Sequence, residues 1–147
     1  MTTKVQLEQA LKEAMKAGDD VRKRVLRQAL SSIRLVEIDK GTPLDEAGLL
    51  AILQKETKAY QETYDESVGA GRSDLAEKAQ IEMAVIKEFL PQQLSPEELE
   101  SLVREVIGEV GATSLREMGQ VMKALMPRLE GRATGDQASS WVKRLLA

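Results

Sequence analysis

The chain has 147 residues, a formal net charge of −3, and no histidine or cysteine. The length suits one domain or two small ones, and the missing residues exclude His-based triads, thiolate nucleophiles and zinc sites that need His or Cys ligands. Because there is no long apolar run, no signal-peptide core and no disulfide framework, we predict a cytoplasmic protein without a membrane partner, cofactor or metal.

Helix-forming residues dominate the chain and aromatic residues make up only 3%, which predicts an all-α fold with an aliphatic core. Apolar residues recur at helical spacing from the start of the chain. Gly18 is expected to end the first helix, Asp19 or Asp20 to cap the second, and Gly41 to end it. No stretch alternates with period two, so no sheet is expected.

Two further helices complete a predicted N-terminal four-helix domain, residues 1–92. Thr42-Pro43 provides a cap and a first helical residue for the third helix, which breaks at Gly69-Ala70-Gly71. Ser73 is expected to cap the fourth helix and Pro91 to stop it.

Residues 93–147 are predicted to form a small three-helix tail domain. The motif Ser95-Pro96-Glu97-Glu98 combines a capping serine, a proline at the first helical position and acids that suit the helix dipole. Ser114 is expected to cap the next helix, which breaks at Pro127. A last helix begins at about Asp136.

Charge is distributed unevenly along the second half of the chain. Residues 73–110 include three basic and nine acidic side chains, whereas residues 111–147 include six basic and three acidic ones. Local positive potential attracts polyanions whatever the total charge. The six cations are therefore candidate nucleic-acid-binding residues: Arg116, Lys123, Arg128, Arg132, Lys143 and Arg144.

Two glycines of the tail are further candidates. Gly119 falls within a predicted helix, where it would either let an RNA backbone approach or let two helices cross closely. Gly131 begins the run Gly131-Arg132-Ala133-Thr134-Gly135, which would either present N–H groups to a phosphate or form a solvated turn. Both alternatives stay open for each glycine.

A third set of candidates lies on the predicted second helix. Arg24, Arg27 and Arg34 share one stripe, which would either grip a nucleic-acid backbone or form a solvated helix face. Trp141 would either stack on an unpaired base or pack in the tail core, and its place on an apolar face favours packing.

Four blocks of residues occur together in a known family. They are Arg24-Val25-Leu26-Arg27 with Ser32-Ile33-Arg34, Ala70-Gly71-Arg72-Ser73-Asp74-Leu75, Phe89-Leu90-Pro91-Gln92-Gln93-Leu94, and Met118-Gly119 with Gly131-Arg132-Ala133. With these blocks the chain resembles the YqeY family, whose C-terminal part is similar to the tail domain of the B subunit of tRNA-dependent amidotransferases. Where that family usually shows Ala-Asp-Gly, this chain reads Ala133-Thr134-Gly135.

The resemblance implies a helical domain joined to a three-helix tail, association with tRNA, and carbon–nitrogen ligase activity with glutamine as amide donor. The reacting parts of the amidotransferase lie outside this tail, and domain similarity does not transfer a site. Whether the chain is an enzyme therefore stays open, and no catalytic residue is assigned. We expect a tRNA-associated binding protein whose partners are tRNA and an aminoacyl-tRNA synthetase or amidotransferase component. The alternative is a structural adaptor without RNA contact.

Overall fold

A computed structural model describes residues 2–147. The described residues form seven α-helices: α1 (Thr3–Ala17), α2 (Asp20–Lys40), α3 (Glu46–Gly69), α4 (Ser73–Lys87), α5 (Pro96–Val110), α6 (Met118–Leu129) and α7 (Gly135–Leu146). A short 3-10 turn, Leu115–Glu117, precedes α6. No strand occurs among these residues, so the all-α prediction is confirmed. None of the helices is long and apolar enough to cross a bilayer.

Contacts between Cα atoms divide the chain into two compact units, Met1–Leu90 and Pro91–Ala147. Helices α1 to α4 belong to the first unit and α5 to α7 to the second, which we call the tail unit. The sequence places a domain boundary between residues 92 and 93. That the two units are independent domains stays a prediction.

The core of the first unit is made by one apolar face from each of its helices. Leu7 of α1, Leu26 of α2, Leu53 of α3 and Ile86 of α4 are almost completely buried there. Burying a side chain of this kind contributes roughly 1.5–3 kcal/mol, so aliphatic packing is the main stabilising term. Tyr60 packs against this core, and burial raises its pKa to about 12.

Both predicted glycine stops are confirmed at the ends of α1 and α2. Gly18 and Gly41 have φ angles of 70° and 74°, in the left-handed region that favours glycine. Asp19 caps α2 by accepting a hydrogen bond from the Arg22 N–H. The sequence left Asp19 and Asp20 as alternatives, and Asp20 is the first residue of the helix.

The start of α3 differs from the prediction based on Thr42-Pro43. The helix begins at Glu46, and the Asp45 carboxylate caps it by accepting from the Gly48 N–H at 2.8 Å. The reason lies in α2, because Glu37 accepts a hydrogen bond from the Leu44 N–H at 2.9 Å. This bond holds the chain against α2 for the residues before Asp45.

The ends of α4 also differ from the prediction. Ser73 is the first helical residue, and Arg72 occupies the cap position without a capping side-chain bond. The Arg72 N–H donates to the Ser67 carbonyl at 2.8 Å, which makes a hydrogen-bonded turn after α3. The helix ends at Lys87 rather than at Pro91, because the Phe89 and Leu90 N–H groups donate to the Ile86 and Lys87 carbonyls and so tighten the chain into three-residue turns.

Glu37 connects three segments of the first unit. Its carboxylate is 15% exposed and accepts from the Leu44 N–H, while the Lys4 ammonium lies 3.0 Å away. The Leu44 N–H and then the Lys4 ammonium hold the pKa of Glu37 below its usual range. Since the pKa is lower in the folded chain, ionised Glu37 stabilises the fold above the unfolded value of about 4.3, and this contribution is lost as the pH falls.

Glu37→Gln is therefore expected to lower the free energy of unfolding at neutral pH, with a deficit that shrinks as the pH falls below about 4.3. Urea unfolding followed by circular dichroism at several pH values measures this deficit. Glu62→Gln is the matched control, because Glu62 is exposed on α3 and has no ion pair among residues 2–147. A deficit that is equal at pH 7 and pH 3 contradicts the assignment.

Candidate nucleic-acid interface

The core of the tail unit fixes which faces of α5, α6 and α7 remain exposed. Val103 of α5, Val121 and Leu125 of α6, and Val142 of α7 are completely buried against one another. The predicted start of α5 is confirmed, because Ser95 and Glu98 form a reciprocal capping box with Pro96 at the first helical position. The exposed side chains of the unit lie on the remaining faces of the three helices.

Helix α6 differs from the prediction at both ends. Residues Leu115–Glu117 form a 3-10 turn, and Ser114 makes no capping side-chain bond. Pro127 lies inside the helix, which continues to Leu129. The proline removes one backbone hydrogen bond in the last turn, whereas Leu129 is buried in the tail core, and this packing offsets the loss.

Gly119 is the second residue of α6 rather than a mid-helix residue, and it is exposed. A Cβ added at Gly119 meets nothing within 4 Å, so the interpretation of close helix crossing is wrong. Close packing occurs instead at Gly135, where an added Cβ would lie 3.4 Å from Met126 Cε. This contact joins the last part of α6 to the first residue of α7.

Thr134 takes the capping position of α7. Its hydroxyl accepts from the Gln137 N–H at 3.1 Å, and the Gln137 side chain accepts from the Thr134 N–H at 3.0 Å. The helix therefore starts at Gly135, one residue earlier than predicted. Threonine and aspartate both serve well as N-caps, so Thr134 can replace the aspartate usual in the family without loss of the cap.

Gly131 and Arg132 join the turn before α7 to the segment that enters α5. The Arg132 carbonyl accepts from the Leu94 N–H at 2.8 Å, and the Arg132 side chain donates Nε–H to the Gln92 carbonyl at 2.9 Å. The Gln93 side chain donates to the Gly131 carbonyl at 3.0 Å. These bonds give both residues a structural role, and a contact with phosphate stays a prediction for them.

Arg128 faces the acidic helix α5. Its guanidinium lies 3.2 Å from a Glu105 oxygen and 2.9 Å from a Glu109 oxygen. Two carboxylates therefore compensate the one cation, and a phosphate would have to compete with both. Of the six predicted cations, Arg128 is the one that the structure makes least available to a polyanion.

The other four predicted cations lie at the surface of the 3-10 turn, α6 and α7. Arg116, Lys123 and Lys143 are exposed and have no ion pair in the described part of the chain. Arg144 is also exposed, and its guanidinium lies 4.6 Å from the centroid of the Trp141 ring. Gly119 and Lys123 are four residues apart and so share one face of α6.

Sequence reasoning missed the pairing of Trp141 with Arg144. Trp141 packs against the tail core as predicted, but the ring is only partly buried and the Arg144 guanidinium covers it. The spacing of Trp141 and Arg144 could have indicated this pair, because residues three apart in a helix are neighbours. The pair fixes the orientation of one cation on the outer side of α7.

Arg24, Arg27 and Arg34 lie on α2 in the first unit, and all three are exposed. Arg24 lies 3.8 Å from Glu82 of α4, and Arg27 lies 3.9 Å from the Met15 sulfur. Arg34 has no ion pair among residues 2–147. The structure confirms that these arginines share an outward face of α2.

Each clearly shifted pKa in the structure lies further from neutrality than the ordinary value of its group. The Ser95 N–H holds the pKa of Glu98 below its usual range, and the Arg72 guanidinium does the same for Asp74. Burial raises the pKa of Tyr60 to about 12. A general acid or base works best with a pKa near the working pH, so these three groups do not identify a catalytic site.

Comparison with known proteins identifies the family. The sequence model described as "Yqey-like protein" matches residues 4–146, and the chain therefore belongs to this family. The match spans both units and agrees with the resemblance drawn from the four sequence blocks.

The similar curated proteins include fungal proteins named "Altered inheritance of mitochondria protein 41, mitochondrial". The relative from Lachancea thermotolerans is 36% identical over 107 residues, which are 71% of this chain and 57% of the relative. The relative from Vanderwaltozyma polyspora is 33% identical over 107 residues, 71% of this chain and 58% of the relative. The relative from Eremothecium gossypii is 39% identical over 85 residues, 57% and 46% of the two chains. The chain thus spans about half the length of these relatives.

The prediction of a cytoplasmic protein is contradicted by these names, since the relatives are mitochondrial proteins. The prediction rested on composition and on the missing apolar segments. Folded-core composition is much the same in the two compartments, so it does not distinguish between them.

Proposed function

We propose that this YqeY-family protein binds tRNA through the outer side of its tail unit. The proposed contact surface, called the α6–α7 surface below, consists of Arg116, Gly119, Lys123, Lys143 and Arg144. The observation that supports it is the availability of its cations, because none of the four has an ion pair in the part of the chain that the structure describes, and Arg144 lies over the Trp141 ring. Cations of this kind bind phosphates and release counterions.

The charge on α5 gives the proposed complex its orientation. Five glutamates lie along this helix, and only Arg104 opposes them within it: Glu97, Glu98, Glu100, Glu105 and Glu109. A tRNA phosphate is repelled from such a face. The polyanion is therefore steered away from α5 and toward the α6–α7 surface.

Gly119 and the Arg144–Trp141 pair would contribute in different ways. Open space around Gly119 lets a sugar–phosphate backbone approach the first turn of α6. The Arg144 guanidinium, held over Trp141, presents a planar cation on which an unpaired base can stack. Backbone contacts supply affinity, and stacking favours single-stranded parts of the tRNA.

A link to glutamine-dependent amidation belongs to the same proposal. The chain would hold tRNA beside an aminoacyl-tRNA synthetase or amidotransferase component, and that component would contribute the catalytic residues. This role needs no reactive group in the chain itself. It agrees with the family membership and with the titratable groups, whose shifted pKa values lie away from neutrality.

A salt titration of tRNA binding tests the proposal. With four phosphate contacts, the plot of log K against log salt concentration is expected to have a slope of about −3 to −4. Fluorescence anisotropy with labelled tRNA and the full chain, from about 50 to 200 mM salt, measures it. If no binding occurs at low salt, the structural adaptor becomes the better description.

A further inference from the structure

The solvent-facing side of α2 is a second surface of unusual composition. Val25, Leu26, Ala29 and Ile33 point into the core of the first unit, which fixes the opposite face of the helix as the outer one. The exposed residues of that outer face are Arg24, Arg27, Ser31, Arg34, Leu35 and Ile38. We call them the α2 outer face.

Two large aliphatic side chains protrude from this face. Leu35 and Ile38 are each 65% exposed, more than any other large apolar side chain in residues 2–147. They lie three residues apart and are therefore neighbours on the helix surface. Single exposed apolar residues are ordinary, but adjacent ones of this size are typical of a surface that contacts a protein.

The charge around the two aliphatic residues is positive and partly uncompensated. Arg27 and Arg34 have no ion pair within the described chain. Arg27 contacts the sulfur of Met15, a residue of α1 that is 52% exposed and extends the apolar area. Two acids follow Arg24 in α2: Lys4 and the Leu44 N–H bind the Glu37 carboxylate, and Asp39 is exposed beside Lys40 at the end of the helix.

Most acids of α4 and α5 are poor candidates for the occupant of the face. On α4, Asp74, Glu82 and Glu88 already pair with Arg72, Arg24 and Arg22. On α5, Glu100 pairs with Arg104, Glu105 and Glu109 pair with Arg128, and Glu98 closes the capping box. Docking a second copy through these paired acids would break existing pairs, so a different molecule is favoured over these two faces.

We propose that the α2 outer face binds an acidic amphipathic helix of a partner protein. The apolar ridge of that helix packs on Leu35 and Ile38, and its flanking carboxylates pair with Arg27 and Arg34. Branched aliphatic side chains offer no plane for base stacking, so a protein fits this face better than a nucleic acid does. The surface belongs to the first unit and is independent of the proposed tRNA contact.

Selection from a displayed library of helical peptides tests the proposal directly. The full chain is the bait, and the Leu35→Ser/Ile38→Ser variant is used for counter-selection. The enriched peptides are expected to be acidic with apolar residues at i, i+3 or i+4, and i+7. Their binding to the variant is expected to be about tenfold weaker or more, because central apolar contacts dominate such interfaces.

Two further variants make the result specific. Val68→Ser/Ile81→Ser is the matched control, since it removes exposed apolar side chains from α3 and α4 and is expected to leave peptide binding unchanged. When the Arg27→Glu/Arg34→Glu variant is the bait, the selected peptides are expected to be basic instead of acidic. The proposal is overturned if no peptide is enriched, if the enriched peptides are not acidic, or if the serine variant binds them equally well. Displacement of the peptides by tRNA would assign the face to RNA instead.

Discussion

Leu125→Ala is expected to lower the free energy of unfolding of the tail unit by about 2–5 kcal/mol. Leu125 lies in the middle of α6 and is completely buried, packed in one cluster with Val103 and Val142. Truncation removes buried apolar surface and leaves a cavity that the short helices fill only in part. A core of this size rarely supplies more than about 3–5 kcal/mol in total, so the variant unit is expected to be largely unfolded.

The single tryptophan of the chain measures this effect selectively. Trp141 packs against the tail core, whereas both tyrosines lie in the first unit, so the urea dependence of Trp141 fluorescence follows the tail unit. Leu115→Ala is the matched control, because Leu115 is 48% exposed just before α6 and its truncation is expected to change little. If the urea midpoints of the Leu125→Ala and Leu115→Ala variants are equal, the observed packing is contradicted.

Lys123→Glu combined with Lys143→Glu is expected to weaken tRNA binding about tenfold or more at low salt. Both ammonium groups are exposed and lack ion pairs in the described structure, so the change replaces two proposed phosphate contacts with two repulsive ones. The magnitude of the salt slope is expected to fall by about 2, one unit for each lost contact. Anisotropy titrations with labelled tRNA measure both quantities.

Two controls distinguish this effect from a general loss of positive charge. Lys12→Glu with Lys78→Glu makes the same charge change at exposed lysines of α1 and α4 that have no ion pair among residues 2–147, and tRNA affinity is expected to change much less. Arg128→Gln removes a cation that Glu105 and Glu109 already compensate, and its effect is also expected to be small. Equal losses in all three variants would mean that binding follows net charge rather than the α6–α7 surface.

Much of the helical architecture could be predicted because local signals and tertiary packing agree. Gly18, Gly41 and the Ser95 capping box each satisfy backbone groups by local geometry, and the structure confirms all three. The prediction failed at the start of α3, where a residue outside the local sequence affects which residue begins the helix. Glu37 is seven residues from Leu44, yet its hydrogen bond keeps the chain nonhelical up to Asp45.

The candidate site was predictable in composition but not in geometry. Sequence reasoning identified the six tail cations, yet it could not show that Arg128 faces two glutamates or that Arg132 is bonded to the Gln92 carbonyl. Both facts depend on how α5 packs against the rest of the tail unit. The surroundings of Gly119 were equally unpredictable from the sequence, because only the packed structure shows that the space around it is open.

Mapping the tRNA contact on the full chain by NMR tests the proposed function most directly. On addition of tRNA at low salt, amide and side-chain signals of Arg116, Gly119, Lys123, Lys143 and Arg144 are expected to shift, and the Trp141 indole N–H signal with them. Signals from the acidic outer side of α5, such as Ser101 and Gly108, are expected to stay unchanged. Shifts concentrated on α5 or on α1 to α4, or no shifts at all, would contradict tRNA binding through the α6–α7 surface.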